Sequence, residues 1–169
     1  EMKEIASLNV HVLGGCCGTT PEYLSKTIEL VKDLPIEPPV KKNMSVVTSF
    51  SQSVEIGPKP VIIGERINPT GKKKFKQALR DGDINYILSE GLKQEDAGAH
   101  ILDVNVGLPE IDEPKMMVEV MKKLQSVIAL PLQIDTSDPI ALEAALRHYN
   151  GKAMINSVNG KQESMDAVF

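Results

Sequence analysis

The chain has 169 residues, of which 41% are hydrophobic and 25% charged, a composition typical of a globular protein. Its net charge of −4 argues against a nucleic-acid partner held mainly by charge. No apolar run approaches the roughly 18 residues that a membrane-spanning helix requires, so no membrane partner is expected.

The first segment predicts one strand and one helix, with two adjacent cysteines between them. Residues 8–13 form an apolar run that fits a short buried strand, and Cys16 and Cys17 follow among three glycines. Thr19 or Thr20 fits the N-cap of the helix that comes next. Adjacent cysteines rarely form a structural disulfide, so we expect a reduced, cytoplasmic protein. Thiolates are good zinc ligands, but two of them do not complete a tetrahedral site.

Residues 35–58 predict a linker that separates a short first domain, residues 1–34, from a second domain, residues 59–169. Prolines disfavour regular elements and stiffen the chain. The prolines of this region are Pro35, Pro38, Pro39 and Pro58, and Pro60 follows directly after it. Within the linker, residues 46–50 fit a short edge strand.

From residue 61 onward, four strands alternate with helical patterns. The predicted strands are residues 61–63, 101–107, 131–137 and 153–160. Asp83 fits the N-cap of one intervening helix, and Ser137 or Asp138 the N-cap of another. Four βα units without closure predict an α/β fold that is part of a (β/α)8 TIM-type barrel. A Rossmann fold is disfavoured because no Gly-x-Gly-x-x-Gly motif follows any strand.

Polar side chains stand at the end of each predicted strand. They are Glu65, then Asp103 and Asn105, then Asp135, then Asn156. An ion pair between Glu65 and Arg66 would explain the first, but four polar ends in succession are hard to explain as accidents of the core. Carboxylates and amides at one mouth suit a planar ligand rich in N–H and C=O groups, such as a pterin.

These motifs resemble the cobalamin-dependent methionine synthase family. The segment Gly-Gly-Cys-Cys-Gly-Thr is similar to the end of its homocysteine-binding barrel, and the four polar strand ends are similar to its pterin-binding barrel. The resemblance implies a fragment that joins the end of the first barrel to the first half of the second. The chain also begins with Glu and stops within a helical pattern, which favours a fragment.

The resemblance implies a methyltransferase of methionine biosynthesis. In the intact protein, methyltetrahydrofolate would give its methyl group to cobalamin, which would pass it to zinc-bound homocysteine. Carried over by motif, the residues expected to hold the pterin are Glu65, Asn68, Asp103, Asn105, Asp135 and Asn156. We expect Asp135 to make the strongest contact with the pyrimidine edge. Cys16 and Cys17 match two of the three zinc ligands of the family.

Three alternatives stay open. A methyltetrahydrofolate:corrinoid protein methyltransferase shares the pterin barrel, although the cysteine pair argues against it. A dihydropteroate synthase also binds a pterin, although nothing before residue 58 fits one. The third is a non-catalytic fragment that self-associates through exposed sheet edges, since unpaired strands are templates for association.

Overall fold

A computed structural model describes residues 1–38 and 40–169 of the chain. Pro39, one of the predicted linker prolines, lies outside the described residues. Contacts divide the chain into two compact units, Glu1–Asn43 and Met44–Phe169, which we describe separately. In the described ranges, no helix has both the length and the apolar character needed to cross a bilayer.

The first unit contains the helices α1 (Met2–Ala6) and α2 (Pro21–Val31). Thr20, one of the two predicted candidates, is the N-cap of α2. Its side chain accepts a hydrogen bond from the backbone N–H of Tyr23. The strand predicted over residues 8–13 is wrong, because these described residues form turns and irregular backbone, with Leu8 78% exposed. A parallel strand needs a neighbour for its backbone groups, and the described part of this unit offers none.

The second unit begins with an antiparallel hairpin of β1 (Ser45–Thr48) and β2 (Ser53–Ile56). β1 overlaps the short strand predicted over residues 46–50, where two valines favour a pleated backbone. The second half of the segment predicted as a linker is therefore a hairpin. By its contacts the hairpin belongs to the second unit, which begins at Met44.

The hairpin is held to the amino-terminal end of the main sheet. Thr48 N–H donates to the Lys152 carbonyl at 2.9 Å, and Lys152 N–H donates back to the Thr48 carbonyl at 3.1 Å. The buried hydroxyl of Tyr149 donates to the same carbonyl at 2.7 Å and accepts the N–H of Leu132 at 3.0 Å. Gly151 permits this approach, since its φ is +151° and a Cβ there would lie 2.3 Å from the Thr48 oxygen. The hairpin thus covers the end of the sheet opposite the polar strand ends.

Four parallel strands form the main sheet in sequential order. They are β3 (Ile63–Ile67), β4 (Ile101–Val104), β5 (Leu132–Asp135) and β6 (Met154–Asn156). The helices that follow them are α3 (Lys73–Asp81), α4 (Ile84–Asp96), α5 (Glu113–Leu124), α6 (Pro139–Leu146) and α7 (Gln162–Val168). Each strand pairs with its predecessor, as in a (β/α)8 barrel. The prediction of a partial barrel with four βα units is confirmed.

Aspartates begin three of these helices. Asp83, Asp112 and Asp138 each accept a backbone N–H from the first turn of α4, α5 and α6, respectively. The structure confirms Asp83 and selects Asp138 over Ser137. These caps fix where each loop stops, and therefore how far it extends over the mouth of the barrel.

The core lies between the sheet and its helices. Leu102 and Val104 of β4 and Ile134 of β5 are fully buried and belong to one cluster with the apolar side of α5. The α5 members are Met117, Val120, Met121 and Leu124. Because side chains alternate along a strand, Asp103 and Asp135 lie on the opposite, inner face of the half-barrel.

The first strand of the sheet differs from its prediction. The sequence predicts a strand over residues 61–63, but β3 begins only at Ile63, and Ile62 is 58% exposed. Ile67, at the far end of the strand, is fully buried instead. The reason is that β3 is an edge strand, with β4 as its only described neighbour in the sheet.

Candidate functional site

The carboxyl ends of β4, β5 and β6 bring polar side chains together on the inner face. The strand register places Asp103 beside Gln133, and Asp135 beside Asn156. Asn105 follows β4 directly, and its backbone N–H donates to the Ile67 carbonyl at 2.9 Å. Four of the six residues expected to hold a pterin therefore lie in one patch.

Two amide–carboxylate pairs organise this patch. Asn105 Nδ2 donates to Asp135 Oδ2 at 2.9 Å, while Asn105 Oδ1 accepts the N–H of Gly107 at 2.9 Å. Asn156 Nδ2 lies 3.5 Å from Asp103 Oδ1, and Gln133 Nε2 donates to the same oxygen. Asp135 thus accepts one neutral amide and Asp103 two, all of them from other strands of the sheet or the loop after β4, and these contacts order the side chains.

Asp103 is the most buried of these carboxyls, with 2% of its surface exposed. Burial raises the pKa of Asp103 above its ordinary value, and the hydrogen bond from Gln133 opposes that shift. The negative charges of Asp135 and Glu65 raise the pKa further. Oδ2 of Asp103 is buried and has no hydrogen-bond partner among the described residues.

Glu65 and Asn68 lie around this patch with different roles. The Glu65 side chain is 63% exposed and pairs with Lys72, whose Nζ lies 3.7 Å from Oε2 and donates to the Glu65 carbonyl at 2.8 Å. The ion pair is thus with Lys72 rather than with Arg66. Asn68 is buried, and its Oδ1 accepts the N–H of Thr70 at 2.8 Å, which stabilises the turn after β3.

The pairing of β3 with β4 is irregular around Glu65 and Arg66. The register with β4 shifts between Gly64 and Ile67, so the intervening residues lack their regular partners on β4. The side chain of Gln94 on α4 replaces one such partner, since its Oε1 accepts the Arg66 N–H at 2.7 Å. A Cβ at residue 64 would lie 2.6 Å from that same oxygen, which explains the glycine.

The patch borders a cleft of about 600 Å³ between the loops that follow β4 and β5. Asn105 and Gly107 line one side, and Thr136 lines the other. Glu113, the first residue of α5, accepts the hydroxyl hydrogen of Thr136 and so ties the two loops together. The cleft has the size of a small-molecule site and polar groups along its edge.

Three polar residues of this region were not predicted from the sequence. Gln133 alternates with Asp135 along β5, so strand periodicity places it on the same face and was a usable signal. Glu113 and Thr136 come from different loops, and no local pattern predicts that they meet. Their contact depends on how α5 packs beside β5.

The two cysteines of the first unit are exposed, and their Sγ atoms are 3.8 Å apart. Two thiolates bound to one tetrahedral zinc at about 2.3 Å would be separated by about 3.8 Å. Hydrogen bonds from the backbone and then the side chain of Cys17 lower the pKa of the Cys16 thiol. Within the described ranges, no group of three or more Cys, His, Asp or Glu is placed to hold a metal. The pair therefore fits part of a zinc site without completing one.

Comparison with known proteins gives relatives for most of the chain. Methionine synthase from Mycobacterium tuberculosis is 31% identical over 162 residues, covering 92% of this chain and 13% of that protein. Methionine synthase from Mycobacterium leprae is 30% identical over 167 residues, with the same two coverages. The chain therefore spans 13% of the length of these curated relatives. This similarity confirms the resemblance inferred from the motifs.

The fold has a solved counterpart in dihydropteroate synthase from Xanthomonas albilineans in complex with 7,8-dihydropteroate. The TM-score is 0.53 at 23% identity, over 73% of this chain and 47% of that one, so the likeness is one of fold. The family described as pterin binding enzyme matches residues 64–168, which include β4, β5, β6 and their polar ends. Since this match covers more than half of the chain, the chain belongs to the pterin-binding enzyme family.

Proposed function

We propose that the second unit binds the pterin ring of methyltetrahydrofolate at the carboxyl ends of β4, β5 and β6. The observation that carries this proposal is the pair of amide–carboxylate contacts, Asn105 with Asp135 and Asn156 with Asp103. They place hydrogen-bond donors and acceptors side by side on a partly enclosed surface. A flat, polar heterocycle is the ligand class that such a surface fits.

Asp135 is the proposed main contact. Asn105 donates a hydrogen bond to Oδ2 of Asp135, whereas no described residue donates one to Oδ1. An ionised carboxylate has enough lone pairs to accept two N–H groups from an aminopyrimidine edge while it keeps its bond to Asn105. The amides of Asn105 and Asn156 would orient the ring. Asp103 would hold the Asn156 amide in position by accepting its N–H group. Glu65 and Asn68 would shape the rim of the site.

The relatives support this ligand class and its place in metabolism. Two of them are methionine synthases, and the X. albilineans enzyme of the same fold holds a pterin compound. We therefore assign the chain to a methyltransferase of methionine formation that takes a methyl group from methyltetrahydrofolate. Homocysteine and a cobalamin domain are the proposed further partners in the intact protein, which the cysteine pair suggests is cytoplasmic.

The first unit has a separate proposed role. We assign residues 1–34 to the end of a homocysteine-binding domain, residues 35–58 to the connection, and residues 59–169 to the first half of the pterin-binding domain. The separation of the two sulfurs supports Cys16 and Cys17 as two zinc ligands, with the remaining ligand outside this sequence. Zinc, when bound, would lower the pKa of a substrate thiol and hold it as thiolate.

Calorimetric titration of the 169-residue chain with methyltetrahydrofolate tests the pterin site. We expect saturable micromolar binding of methyltetrahydrofolate and none of aminobenzoylglutamate, which has the tail of the molecule without the pterin. A chain with a native circular-dichroism spectrum that binds neither compound would contradict the proposal. Binding of the tail alone would contradict the assignment of the polar patch.

Two alternatives are separated by further measurements on the same sample. The likeness to dihydropteroate synthase favours a test of that enzyme's chemistry, and turnover of a pterin with aminobenzoate would replace our assignment. Size-exclusion chromatography at several concentrations tests the non-catalytic alternative. Concentration-dependent association without any folate binding would favour a fragment that acts only through its sheet edges.

A further inference from the structure

Asp103 has a surrounding that is unusual for an ionised carboxyl. Its surface is 2% exposed, and Oδ1 receives both amide donors, Gln133 and Asn156, while Oδ2 is buried without a partner among the described residues. An ionised carboxylate spreads its charge over both oxygens, so burial of Oδ2 without a protein donor is costly. A protonated carboxyl removes most of that cost because its charge is gone.

The groups that face Asp103 add to this preference. From β3 the nearest charge is Glu65, from β5 it is Asp135, and β6 contributes the neutral amide of Asn156. Two neighbouring acids disfavour a third negative charge, and burial of Asp103 raises its pKa in the same direction. Asp135 differs in its surroundings, because it is only partly buried and its Oδ2 accepts a hydrogen bond from Asn105.

We propose that Asp103 is a positioning residue that favours its protonated form more than an exposed aspartate does, and that Asp135 is the carboxyl group that contacts the pterin. The ligand part of this inference rests on the proposed function, whereas the protonation state does not. Two carboxyls in one patch then have different tasks set by their surroundings. Asp103 holds Gln133 and Asn156 in place, and Asp135 receives the ligand.

The protonation state is measurable without any ligand. A pH titration of the free protein, followed by the carboxyl 13C signal of Asp103 in NMR, should show a midpoint above that of an exposed aspartate, because burial raises the pKa of Asp103. The signal is assigned by its loss in Asp103→Asn. An ordinary aspartate titrates near pH 3.9. A midpoint for Asp103 at or below that of an ordinary aspartate would overturn the proposal.

Variants then test the positioning role at pH 7. In Asp103→Asn, the side-chain oxygen can still accept the amides of Gln133 and Asn156, so methyltetrahydrofolate affinity should fall less than it does in Asp135→Asn. Asp103→Ala leaves Gln133 and Asn156 without their acceptor and should weaken binding by about tenfold or more. The matched control for charge removal is Asp81→Asn, at the end of α3.

A pH series separates a positioning role from simple structural damage. The ratio of the wild-type affinity to the affinity of Asp103→Asn should change with pH over the range in which the Asp103 carbon signal titrates. Titration of the ligand itself affects both proteins equally, so it cancels in this ratio. A loss in Asp103→Asn as large as that in Asp135→Asn would show that the pterin needs an ionised Asp103, which overturns the inference. Absence of binding by the wild type would defeat the proposed function instead, and the carbon titration would still decide the protonation of Asp103.

Discussion

Replacing Asp135 by asparagine is expected to weaken the binding of methyltetrahydrofolate by about 10- to 100-fold. Hydrogen bonds to a charged group contribute about 1.5–3 kcal/mol, and each 1.4 kcal/mol corresponds to about tenfold in affinity. Asparagine offers one acceptor oxygen, which Asn105 already uses, and an N–H2 group that opposes the donors of an aminopyrimidine. Calorimetry at pH 7 measures the change.

The control for this variant is Glu143→Gln, the same carboxyl-to-amide change on the exposed face of α6. Glu143 pairs with Arg147 at 2.6 Å, and both side chains are largely exposed, so its loss should leave folate affinity and stability nearly unchanged. An Asp135→Asn protein with a native spectrum and wild-type affinity would show that Asp135 does not contact the pterin.

Leu124→Ala is expected to lower the free energy of unfolding by about 2–5 kcal/mol. Leu124 is fully buried at the end of α5, and a Cβ built at Gly91 of α4 would lie only 3.1 Å from its Cδ2. The two helices therefore pack too closely here for the neighbours to fill a cavity without moving. Urea unfolding followed by circular dichroism measures the loss.

Leu92→Ala, on α4 itself, is the matched comparison. Leu92 is 39% exposed, so its truncation removes less buried surface and should cost less than about 1 kcal/mol. Equal losses for the two leucines would contradict the packing of α4 and α5 as a common layer over the sheet.

Local signals were sufficient for most elements of the second unit. Asp83 and Asp138 are N-caps because a short side-chain oxygen reaches the N–H groups of the next turn, and that depends on a few neighbouring residues. The same local signals do not predict which strands or helices will lie beside a given element. Residues 8–13 have the apolar character of a strand, but a parallel strand exists only beside another strand.

The site was partly predictable for a geometric reason. Parallel strands end at one edge of their sheet, so polar residues at strand ends such as Asp103, Asp135 and Asn156 meet whatever the details of packing. Glu65, also at a strand end, is largely exposed and pairs with Lys72, a partner that the sequence alone does not reveal. The contact of Glu113 with Thr136 likewise depends on tertiary structure.

The most direct test of the central claim is an amide NMR titration of the 15N-labelled chain with methyltetrahydrofolate. We predict saturable shifts in the backbone signals of Gly107 and Thr136 and in the side-chain amides of Asn105 and Asn156, with Thr48 of the hairpin unaffected. These groups lie at opposite ends of the sheet, so the pattern locates the ligand. Shifts confined to the hairpin end, or no shifts in a folded chain, would contradict a pterin site at the carboxyl ends of β4, β5 and β6.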